Sequence, residues 1–164
     1  RFKEVEPNMK ALAADAADPA VAARANAFLI YVASQSGGDP RKTLADLKEL
    51  ILKATDPEVL AGAWLFTGHA HAAVNEPLLA ATAYLRVPVF YPERQLPLAG
   101  ARLGAARALI ALEKPLAAVP ILKDLVAQQA ATPEGAEGKK LLAQVQKDIT
   151  GAAASPTTEE STGK

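Results

Sequence analysis

The chain has 164 residues, half of them hydrophobic but only 5% aromatic, with 18 basic and 18 acidic side chains and no cysteine. This charge balance lacks the basic excess of nucleic-acid binders and the polybasic cluster of a membrane anchor. The missing cysteines exclude disulfides, thiolate nucleophiles and cysteine metal sites, and are compatible with reducing and oxidising compartments alike.

The length predicts one domain with a substantial core. Alanine is overused, which favours closely packed helices over a sheet of β-branched and aromatic residues. No apolar run reaches membrane-spanning length, and no signal peptide is read. The chain begins at Arg1 rather than Met, which fits a mature form or a fragment of a longer protein.

Proline divides the sequence into helix-sized pieces. Asp18-Pro19, Asp39-Pro40, Asp56-Pro57 and Thr132-Pro133 place an N-cap before a proline at the first helical position. Glu76-Pro77 and Lys114-Pro115 are weaker versions. In chain order, helices are predicted at 7–17, 20–35, 40–54, 57–73, 77–91, 97–112, 115–129 and 133–149. In the third, Leu44, Leu47, Leu50 and Ile51 form one apolar stripe at helical spacing. The last uses Leu141, Leu142, Val145 and Ile149 in the same way and reads as a closing helix. Pro88 and Pro120 each delete a backbone hydrogen bond and should kink or interrupt their helices. Short links such as Ser36-Gly37-Gly38-Asp39 imply antiparallel neighbours. Residues 1–150 therefore read as one helical domain. Residues 151–164, with no large apolar side chain, read as a disordered tail.

An internal repeat is visible. Asn75-Glu76-Pro77-Leu78-Leu79-Ala80 is similar to Glu113-Lys114-Pro115-Leu116-Ala117-Ala118, and Gly38-Asp39-Pro40 is an earlier copy. The prolines lie 37 and then 38 positions apart. Around this repeat the chain resembles the tetratricopeptide-repeat family, whose unit opens Trp-x2-Leu-Gly-x2-Tyr and continues with Ala-x3-Phe and a closing proline. Trp64, Gly68, Ala80, Tyr84 and Pro92 fit that pattern, while Thr67 and His71 replace its leucine and tyrosine. A weaker copy places Ala106, Ala118 and Leu122 at the glycine, alanine and aromatic places. The earliest copy places Tyr31, Thr43 and Leu47 there.

The resemblance implies an all-α, right-handed α-solenoid of antiparallel helix hairpins, with repeats over residues 24–132. The first helix would be the second helix of a repeat whose first is absent, and the final helix a cap. It also implies a groove lined by the first helix of each hairpin. Carrying over the groove-facing places gives Phe28, Val32 and Gln35, then Leu65, His69 and Ala72, then Leu103, Arg107 and Ile110. Arg107 and His69 are the polar members, and Arg107 suits a partner carboxylate. The groove lacks the several basic residues with which family members clamp a peptide terminus.

Site chemistry is sparse. His69 and His71 are two apart, so on an intact helix they face roughly 200° away from each other and cannot grip one ion. Ser34 and Ser36 lack a nucleophile-elbow motif. Asp46 and Glu49 flank a lysine on an amphipathic helix and read as a solvated face. Gly100-Ala101-Arg102-Leu103-Gly104 suits close helix contact better than a phosphate loop. The expectation is a non-enzymatic protein–protein interaction module that takes a peptide or helix of a partner, with no cofactor, metal, nucleic acid or membrane span. Self-association stays open. The alternative is a structural or assembly segment of a larger protein, such as a bacterial envelope component. An enzyme with an unrecognised site is the least favoured reading.

Overall fold

The computed structural model describes residues 2–15 and 17–154. Among these there are eight helices and no strand: α1 (Phe2–Asp15), α2 (Pro19–Gln35), α3 (Pro40–Lys53), α4 (Pro57–Ala73), α5 (Pro77–Phe90), α6 (Gln95–Ala111), α7 (Pro115–Gln128) and α8 (Pro133–Ala154). Asp18, Asp39 and Asp56 cap as their sequence position suggests. Their carboxylates accept from the amides of Ala20, Arg41 and Glu58 at 2.8, 2.9 and 2.8 Å. Thr132 accepts from the Gly135 amide at 3.0 Å. Glu76 and Lys114 provide no side-chain cap.

Three helices depart from their expected bounds by two residues or more. α1 starts at Phe2 and carries Pro7 inside it, at the loss of one backbone bond. α6 starts at Gln95, so Pro97 falls in its first turn, where amides have no helical partner anyway. α8 runs through Gly151-Ala152-Ala153-Ala154, a stretch assigned above to the tail, because alanine sustains a helix. The rest of that tail, 155–164, lies outside the described residues. Of the kink or interruption expected at Pro88 and Pro120, neither proline interrupts its helix: α5 and α7 run through them.

The helices alternate in length. α2, α4 and α6 have 17 residues each, and α3, α5 and α7 have 14. The even-numbered helices start at Pro19, Pro57, Gln95 and Pro133, with 38 residues from each start to the next. Their C-termini repeat as well. Gly37, Asn75 and Glu113 have φ of 82°, 58° and 58°, a left-handed turn that ends α2, α4 and α6. The following amides, of Gly38, Glu76 and Lys114, bond back to the carbonyls of Ala33, His71 and Leu109 at 3.0, 3.0 and 2.9 Å. This is the Schellman closure.

Every helix packs against the next in the chain. Even-numbered helices also touch one another, α2 on α4, α4 on α6 and α6 on α8, whereas α3 makes no such contact with α5, nor α5 with α7, among the described residues. Ion pairs follow the same row. Arg24 of α2 pairs with Asp56 at the start of α4 at 2.5 Å, Arg94 before α6 reaches Glu58 of α4 at 3.6 Å, and Arg107 of α6 pairs with Glu137 of α8. The core is a chain of small clusters. Leu47, Leu50, Val59 and Ala63 join α3 to α4; Ala80, Tyr84 and Ala105 join α5 to α6; Leu103, Leu122, Leu125 and Val145 join α6, α7 and α8. Trp64 is half-buried against Val87 and Leu98 and carries the Arg86 guanidinium 4.2 Å from its ring centroid.

Candidate functional site

The row of even-numbered helices borders an open cleft of about 1050 Å³. Its geometry is set by one buried aromatic residue. Tyr84 of α5 inserts its ring between Gly68 of α4 and Gly104 of α6. A Cβ at Gly68 would lie 2.4 Å from the ring's Cδ1, and one at Gly104 would lie 2.5 Å from Cζ. Only glycine permits this approach at either position, so the ring fills the gap that the two glycines leave between α4 and α6.

The Tyr84 hydroxyl reaches Nδ1 of His69 at 2.8 Å. With the ring proton on Nε2 the phenol donates to Nδ1, and with it on Nδ1 the phenol oxygen accepts. Burial pushes the Tyr84 pKa up to about 12, against the opposing effect of Arg107, so the phenol stays protonated. His69 is exposed at the cleft, yet the protein crowded around the ring and, secondarily, the Arg107 charge lower its pKa below the usual value. A file of rings continues across the cleft. His69 meets Tyr84 edge-on at 5.4 Å, Phe66 lies 6.4 Å from His69, and Tyr31 of α2 stacks on Phe66 at 4.8 Å.

Tyr31, His69 and Arg107 occupy the same position in α2, α4 and α6 and all line the cleft. Of the residues expected in the groove, Leu65, His69, Ala72, Leu103 and Arg107 are there. Leu103 is nevertheless only 5% exposed and belongs mainly to the core. Ile110 packs against the α6–α8 cluster and is not on the cleft wall. Phe28 is half-buried and Val32 buried, and neither borders the cleft. The side chain of Gln35 lies outside the described residues.

The misplacement in α2 has a simple cause. The link from α2 to α3 has four residues, 36–39, whereas those from α4 to α5 and from α6 to α7 have three. Counting back from Pro40 therefore slips the register by one residue, or about 100° around the helix. Val32 turns into the core and Tyr31 takes the cleft position. Counting from the caps Asp18, Asp56 and Thr132 would have found Tyr31. No comparable sequence signal pointed to Phe66, Glu58, Glu134 or Glu137, which also border the cleft.

The groups considered for chemistry disperse. His71 turns away from the cleft to Glu76, with Nδ1 and Oε2 2.7 Å apart. The hydroxyls of Ser34 and Ser36 donate to the carbonyls of Tyr31 and Val32 in their own helix. Glu49 accepts from Lys53 at 2.5 Å. Among the described residues no three of His, Asp and Glu gather to hold a metal ion, and no helix is long and apolar enough to cross a membrane. No protein-family model, curated protein or solved structure matches the chain.

Proposed function

We propose that the chain is a non-enzymatic interaction module, a short right-handed solenoid of antiparallel, tetratricopeptide-like hairpins that receives a peptide segment of a partner protein. The observation that carries this reading is the cleft along the even-numbered helices, where Tyr31, His69 and Arg107 recur at one repeat position. The 38-residue period, the paired helix lengths and contact between alternate helices on one side only support the solenoid. The fit of Tyr84 between Gly68 and Gly104 supports the family likeness.

The size and lining of the cleft favour a peptide over a metabolite. Clefts for drug-sized ligands run to roughly 300–1000 Å³ and enclose most of the ligand. This one, at about 1050 Å³, lies just above that range, is open, and mixes aromatic rings with charged side chains. Its polar groups suit recognition better than turnover. The phenol is held protonated, and Nδ1 of His69 is taken up by its contact with that phenol.

The test is an affinity capture comparing wild type with Leu65→Glu and Arg107→Glu, each checked for a native melting transition. Folded variants should lose the partner. Retention of every partner by both folded variants overturns the groove assignment.

A further inference from the structure

The charges around the cleft are unequal. Among the described residues, Glu58 of α4 and Glu134 and Glu137 of α8 border it, against Arg107 alone. Arg107 is taken up by Glu137, and Arg94 holds Glu58 only at 3.6 Å. Glu134 is half-buried and has neither a hydrogen bond nor an ion pair among the described residues. Glu58 and Glu134 both stand second in their helices, so the same carboxylate position brackets the cleft two periods apart.

The glycines supply an independent observation. A glycine inside a helix is about 0.5–1 kcal/mol less favourable than alanine. Gly68, Gly104 and Gly138 have an internal reason, since a Cβ there would come within 2.4, 2.5 and 2.6 Å of Tyr84 or Leu125. Gly62 and Gly100 do not. They hold one repeat position in α4 and α6 and line the cleft. A Cβ at Gly62 would meet nothing closer than Phe66 Cε2 at 4.0 Å, and at Gly100 nothing closer than Leu65 Cδ1 at 3.4 Å. The space they leave opens toward the occupant and lets its main chain lie close to the helix backbones.

Building on the groove reading above, we infer that the occupant is an extended peptide segment bearing lysine or arginine. Its main chain lies over Gly62 and Gly100, its cationic side chains are taken separately by Glu58 and by Glu134, and an apolar side chain packs on Phe66 and Tyr31.

A display library of random 12-residue peptides, selected on the wild-type chain, tests this. Recovered peptides are then synthesised and titrated by fluorescence anisotropy. The expected pool is enriched in lysine and arginine and depleted in aspartate and glutamate. The expected loss is about two- to fivefold in affinity for Glu58→Gln or Glu134→Gln, as for exposed ion pairs, with further weakening at high salt. Gly62→Gln, whose Cβ has room and whose helix should melt no lower, is expected to abolish binding.

A pool lost on Leu65→Glu or Gly100→Gln but without cationic bias overturns this inference and leaves the groove reading standing. So does binding unchanged by Gly62→Gln. A pool that binds folded Leu65→Glu and Gly100→Gln as well as wild type overturns the groove reading and this inference together. Recovery of no peptide, or self-association abolished by Gly62→Gln, overturns the cationic-segment inference.

Discussion

Tyr84 shows how one side chain can require two glycines. Gly68→Ala or Gly104→Ala must displace a buried ring whose hydroxyl also holds His69, so each is expected to lose about 1–3 kcal/mol, the usual range for overpacking. Gly100→Ala meets only ordinary contact and should be neutral or gain up to about 1 kcal/mol from helix propensity. Urea denaturation of the three variants checks the contrast, and equal effects would refute it. His69 gives a pH prediction. Its folded pKa is lowered, so below the unfolded value of about 6.5 the unfolded chain binds a proton that the native state resists. Stability is full above that pH and falls as the pH drops through the window below it. His69→Gln should flatten this part of the profile, measured as urea midpoints at neutral and mildly acidic pH.

At the scale of elements, the caps and closures were unequally legible. The Asp-Pro pairs announce helix starts because an aspartate cap and a proline in the first turn act locally. Asp39→Ala should therefore lose about 1 kcal/mol in thermal or chemical unfolding. The shared left-handed closure was visible at Gly37 but not at Asn75 or Glu113, since a side chain there conceals the backbone requirement. Glu113 holds φ of 58° with a Cβ that makes this conformation unfavourable by roughly 1–2 kcal/mol. Glu113→Gly should raise the urea midpoint, whereas Gly37→Ala should lower it. If Glu113→Gly destabilises the protein, the carboxylate has a role that its backbone position does not explain.

For the whole molecule, clusters join neighbours in order, and among the described residues α1 packs against α2 alone. Stability should then be graded along the chain instead of shared evenly, as in quasi-one-dimensional arrays. Native-state hydrogen exchange is expected to release the amides of α1 first and those of α5 and α6, which pack on partners at both sides, last. Uniform protection from α1 to α8 would contradict a modular array. The ion pairs from α2 to α4, α4 to α6 and α6 to α8 add a salt-sensitive element to that row, modest because most of these side chains are exposed.

The sequence by itself determined the helical class, the number of helices, most of their boundaries and a period close to 38. Those properties follow from caps, prolines and apolar spacing, which act within a turn or two of chain. Only the tertiary structure decided which faces meet. It turned Tyr31 outward and Val32 inward, seated Tyr84 between Gly68 and Gly104, and brought Glu134 and Glu137 of the last helix to the cleft of the others. A single extra residue in the link after α2 rotates a whole helical face by about 100°. Contacts between helices more than thirty residues apart likewise depend on how each pair packs, which no local pattern encodes.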